Sequence, residues 1–86
     1  VKNAYTFHSD PGHCWLEVPK AELRTLGISE VISRYSYERA GDAFLEEDCD
    51  FPVFHEAYTK KYGEPPKIVE KSHGSDCFIR RLNKYA

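Results

Sequence analysis

The 86-residue chain contains no methionine and one tryptophan, and its three cysteines include no C-x-x-C pair. Without methionine, the core has to be filled by rings and branched aliphatics, and aromatics at 14% supply them. An odd cysteine number without paired spacing argues against a secreted disulfide scaffold and for a reducing cytoplasm, where each thiol is first a small half-buried side chain. No apolar run approaches the ~20 residues that span a bilayer, and no signal-peptide pattern opens the sequence, so no membrane partner is expected. There is no Gly-x-Ser-x-Gly elbow and no glycine-rich phosphate loop. A basic surplus is also missing. The net charge is −2, whereas duplex-DNA binders carry a strong positive balance.

That charge is unevenly spread. Residues 1–58 hold eleven acids against five Lys/Arg, a balance of −6, and residues 59–86 hold three against seven, a balance of +4. Such a dipolar surface suits a protein partner, a basic one in particular, or a head-to-tail homo-oligomer, better than nucleic acid.

The length bounds the chain to a single small domain, 1–86. AYTFHS and HCWLEV both alternate, and Asp10-Pro11-Gly12-His13 between them has turn chemistry. Because a Pro-Gly type II turn twists the wrong way for a two-residue hairpin, a looser loop with Ser9 opposite Cys14 is expected. This register puts Tyr5, Phe7, Cys14, Leu16 and Val18 on one face, and Thr6, His8, Asp10, His13, Trp15 and Glu17 on the other. Pro19 can open a short helix that ends at Gly27. ISRYSYERA (32–40) reads as a strand with Tyr35 and Tyr37 on one side, and AFLEE (43–47) returns beside it with Phe44 on the tyrosine face. DCDFPVFHEAYTKKYG is the clearest helix, with Asp50 as N-cap, Pro52 in the first turn and Gly63 as the stop. KIVEK (67–71) and CFIRRL (77–82) suggest a last hairpin. The sum is an α+β domain: a mainly antiparallel sheet of about six strands, in the order hairpin-helix-hairpin-helix-hairpin, with two helices on one face.

Several constellations could carry chemistry. His8, Asp10 and His13 offer imidazole and carboxylate to a zinc ion, as in a small metal-dependent hydrolase built on HSDPGH (8–13). The spacing matches no established zinc pattern, and a turn closed by Asp10, with the histidines solvated, is the reading preferred over a metal. His73-x3-Cys77 is half of a zinc site, but nothing in the sequence forces another half beside it. His13 and Cys14 are neighbours on a strand and point apart, which prevents one from activating the other. The acids of LEEDCD (45–50) complement the dipole of the helix that comes next. No catalytic residue and no required cofactor emerges. AELRTLGISEVISRY (21–35) has the outline of a degenerate helix-turn-helix, although Ser33 stands where an apolar residue belongs, and a DNA-binding regulator is the competing reading. The feature given most weight is Trp15 among His8, Asp10, His13 and Glu17, the composition of a protein-binding hot spot with Asp10 and Glu17 as acceptors for a basic partner.

YTFHSDPGHCWLEV, with YSYERAGDAFLEEDCD after it, resembles a group of short uncharacterised proteins encoded by bacterial plasmids, phages and integrated mobile elements. The resemblance covers roughly residues 4–55. In that group the residue after the second histidine is commonly Gly, and Cys14 departs from this, which weakens any role for its thiol. The resemblance implies a non-enzymatic accessory protein that binds a host or element-encoded protein, for instance to counter a defence system.

Overall fold

The structure is a computed structural model that describes residues 4–86. Six strands form one sheet: β1 Tyr5–Ser9, β2 Cys14–Pro19, β3 Tyr37–Arg39, β4 Asp42–Glu46, β5 Ile68–Ser72 and β6 Asn83–Lys84, in spatial order β5-β1-β2-β4-β3-β6. Helices α1, Lys20–Thr25, and α2, Phe51–Tyr62, interrupt them. No helix among the described residues is long and apolar enough to cross a membrane.

The opening hairpin has the expected register, with Ser9 opposite Cys14 and His8 opposite Trp15. One face therefore carries Tyr5, Leu16 and Val18. These pack with Ala43 and Leu45 of β4 against Leu23 of α1 and Phe54 and Tyr58 of α2, so both helices bury their apolar sides on this face. The sequence accounts for α2: Phe54 and Tyr58 recur at the helical repeat, Pro52 stands in the first turn, and Gly63 ends it at φ 78°, a left-handed conformation that costs glycine little.

Three expectations are corrected. The sheet is mixed, because β5 runs parallel to β1, with Tyr5 beside Ile68 and Ser9 beside Ser72, instead of forming a hairpin with the CFIRRL segment. That segment is not a strand; Phe78–Arg81 is a 3-10 turn in which the Arg80 N–H bonds the Cys77 carbonyl at 3.1 Å. Residues 73–82 instead cross the second face of the sheet, from β5 at one edge to β6 at the other, a span of roughly 24 Å for five inter-strand gaps.

The strand expected over 32–40 is only Tyr37–Arg39, and residues 28–36 form turns. Asp50 explains this. It sits at the N-cap position of α2 without capping it. Its buried carboxylate instead accepts the Ser33 N–H at 3.0 Å, the Ser33 hydroxyl at 2.7 Å and the Ser36 hydroxyl. Those bonds hold the loop in turns, so no second helix comes after α1 and no helix-turn-helix is formed. Tyr35 is left in the loop, 67% exposed, while Tyr37 pairs with Phe44.

Candidate functional site

The Asp10-Pro11-Gly12-His13 loop is built around the Asp10 carboxylate. Oδ1 accepts the backbone N–H groups of Gly12 and His13, each at 3.0 Å. The same carboxylate takes the Cys77 N–H at 3.0 Å and two guanidinium bonds from Arg80 at 2.6 and 2.9 Å. These bonds, with Arg80 first, hold the Asp10 carboxyl well below the usual carboxylate range. A Cβ at Gly12 would come within 2.7 Å of an Arg80 guanidinium nitrogen, so a larger residue there would have to displace that guanidinium. Asp10 is thus committed inside the protein and is not an acceptor for a partner.

A further correction concerns the tryptophan. Alternation along β2 places Trp15 on the face away from the helices, as expected, but that face is covered. Trp15 is 2% exposed and packs with Phe44, Cys77 and Ile79, flanked by Tyr37, Phe78 and Leu82. Arg80 lies over the indole at 5.4 Å. The crossing segment supplies Cys77, Phe78 and Ile79, so this face is a second small core rather than a solvent-exposed binding surface. His8 and Asp10 are buried with it, and only His13 of the expected patch is exposed.

His8, Asp10 and His13 do not converge on one point. The His8 ring bonds Glu17 at 2.8 Å through Nε2 and His73 at 3.1 Å through Nδ1. His13 lies beside Glu46 and Glu47, on the other side of the loop. The HSDPGH segment therefore offers no three-ligand set. Glu17, engaged by His8, is likewise not a free acceptor.

At the margin of the second core the surface opens into a groove of about 290 Å³, lined by His13, the edge of Trp15, Tyr35, Tyr37, Glu46, Asp48, Cys49, Arg80 and Lys84. Lys84 stands over the Tyr37 ring at 4.3 Å and donates to its hydroxyl at 3.1 Å. Glu46 and Asp48 line it together with Arg80 and Lys84, so it carries charges of both signs. Of the lining residues, sequence reasoning groups His13 with Trp15, Tyr35 with Tyr37, and Glu46, Asp48 and Cys49 within LEEDCD, but does not bring the three groups together. Tyr35 is hidden by its assignment to a strand, and Arg80 and Lys84 lie some 65 residues further along a segment that reads as a hairpin. A larger depression of about 690 Å³ runs along α2, but Phe51, Pro52, His55, Glu56, Thr59 and Lys60 all come from one helix and bring no groups together across a cleft.

The thiols nearest this surface are not prepared for nucleophilic chemistry. Desolvation, together with Glu47, pushes Cys14 up to about 11, and a hydrogen bond to Glu46 raises exposed Cys49. Both are protonated at neutral pH, the reverse of what a reactive cysteine needs. Comparison with protein-family models, with curated proteins and with solved structures finds no match to this chain.

Proposed function

We propose that the protein acts by binding another protein, without turnover, through the groove between the His13 loop and Tyr35. The observation that carries this reading is Tyr35 itself, 67% exposed on a loop that Asp50 holds in place and beside the rings of Tyr37 and Trp15. Tyrosine, tryptophan and arginine are the residues most often found at binding hot spots, the two aromatics because they bury a large area for few rotatable bonds. Here Tyr35 protrudes from a rigid base, which lowers the entropy cost of ordering it on contact. Glu47 and Asp48 on the adjoining loop favour a partner whose contact patch carries Lys or Arg, in line with the acidic balance of residues 1–58.

The raised Cys14 and Cys49 thiols speak against a cysteine nucleophile at this surface. The resemblance of residues 4–55 to proteins of plasmids, phages and integrated elements extends the proposal to an accessory role in a mobile element, with a host or element-encoded protein as partner. Immobilised wild-type chain and Tyr35→Ala, exposed to lysate of the source organism, test the reading. A partner retained by the first and lost by the second supports it; equal retention by both overturns it. A second copy of the chain is the competing occupant, and sedimentation of the purified protein identifies that case.

A further inference from the structure

We propose that His8, His73 and Cys77 form a three-ligand site for a zinc-class divalent cation, separate from the groove and independent of its function. His8, His73 and Cys77 each offer a ligand atom within 4.8 Å of the other two, and His8 Nδ1 faces His73 Nε2. Tetrahedral zinc, with bonds of about 2.0–2.1 Å to nitrogen and 2.3 Å to sulfur, sets its nitrogen ligands about 3.3 Å apart and nitrogen and sulfur about 3.6 Å apart. The observed nitrogen–nitrogen distance is 3.1 Å, and the sulfur, within 4.8 Å of both nitrogen donors, has to close by at most about 1.2 Å to join them.

Three further features suit a metal. The carboxylate of Glu17 can only accept, so the 2.8 Å contact requires the proton of neutral His8 to sit on Nε2. That leaves the Nδ1 lone pair facing His73 and gives the carboxylate–histidine pairing that orients metal-bound imidazoles. Cys77 is 0% exposed, and among the described residues no hydrogen bond engages its thiol. Its backbone N–H is held by Asp10, which places the Cα from which the sulfur is presented. The rings of Phe44 and Phe78 flank His8, at 6.0 and 5.5 Å, and lower the local dielectric around the donors.

In the metal-free state His73 Nε2–H donates to His8 Nδ1. On binding, the His73 proton moves to Nδ1, freeing Nε2, and the Cys77 thiol loses its proton to solvent. One proton is released per ion, and a thiolate and two neutral imidazoles carry the metal. Three protein ligands leave the fourth position to water or an external donor. The ligands come from β1, the end of β5 and the crossing segment, so the ion would fasten the C-terminal cover to the sheet.

The whole chain, purified without a histidine tag and stripped with chelator, tests this by titration with Co²⁺ and then Zn²⁺. The expected result is one equivalent of Co²⁺ giving tetrahedral visible bands and a thiolate-to-cobalt charge-transfer band, erased by one equivalent of Zn²⁺. Cys77→Ala, with Cys77→Ser where the alanine variant fails to fold, should remove the charge-transfer band. Loss of a ligand should cost more than the roughly 10–100-fold of a supporting residue, so His73→Ala should weaken Zn²⁺ binding at least about 100-fold and Glu17→Gln about tenfold. His13→Ala, beside the separate Glu46–Glu47 cluster, should leave affinity unchanged. No saturable binding by the wild type, a charge-transfer band that survives His73→Ala, or affinity lost in His13→Ala and kept in His73→Ala would each overturn the proposal.

Discussion

Asp10 and Arg80, 70 positions apart in the chain, meet through two hydrogen bonds of 2.6 and 2.9 Å, and the same carboxylate closes the opening hairpin loop and pins the Cys77 backbone. A side chain expected to face a partner instead fastens the C-terminal segment over the sheet.

The first prediction concerns acid. The folded Asp10 carboxyl titrates below its unfolded counterpart, which titrates at about 4. Its contribution is therefore fully present above that pH and lost progressively as pH falls below it. Asp10→Asn should lower stability at pH 7, and the gap to wild type should narrow below pH ~4. Urea denaturation of both proteins across pH 2–7 measures this; a gap that does not change with pH would contradict it.

Trp15 is the only tryptophan, so its fluorescence reports on the second core. Native emission should be blue-shifted and resist acrylamide. Trp15→Ala should cost about 3–5 kcal/mol, the usual loss for truncating a buried indole. Deleting residues 73–86 should shift emission to the red and open the indole to quencher. Unchanged emission after that deletion would show that the crossing segment does not cover it.

Asp50 gives a local test. Asp50→Ala strips the partners from the Ser33 N–H and from two serine hydroxyls. The variant should lose about 2 kcal/mol or more, with faster hydrogen exchange at the Ser33 amide. Asp48→Ala, on the exposed loop beside it, should leave both unchanged.

Thiol accessibility should track the packing. Cys49 is exposed, Cys14 half-buried and Cys77 buried. Ellman's reagent at pH 8 should modify Cys49 first, more slowly than a free thiol because Glu46 raises it, and should reach Cys77 only on unfolding. Early modification of Cys77, identified by peptide mapping, would contradict its burial.

The parts legible in the sequence were those set by local pattern. Strict alternation on both sides of Asp10–His13 specified the register of β1 and β2 and the faces of their side chains. Phe54 and Tyr58, with Pro52 and Gly63, marked α2. What escaped was set by distant partners. The alternation of CFIRRL resembles a strand as long as nothing indicates that Asp10 will claim the Cys77 N–H and the Arg80 guanidinium. The same alternation that sends Trp15 away from the helices is silent on whether a later segment covers it. Asp50 reads as a helix cap because its serine partners lie 14 and 17 positions upstream. His73 and Cys77 could be recognised as half a ligand set, but only the parallel pairing of β5 with β1 brings His8 beside them.

The groove reading is tested most directly by quantitative capture from lysate of the source organism on immobilised wild type and Tyr35→Ala, with circular dichroism confirming that both are folded. Removing an exposed aromatic anchor should cost about 1.4 kcal/mol or more, at least about tenfold in affinity. The expected result is a protein partner depleted to that extent on Tyr35→Ala. Recovery of the same partner in equal amount on both surfaces would contradict the assignment of this groove as the binding site.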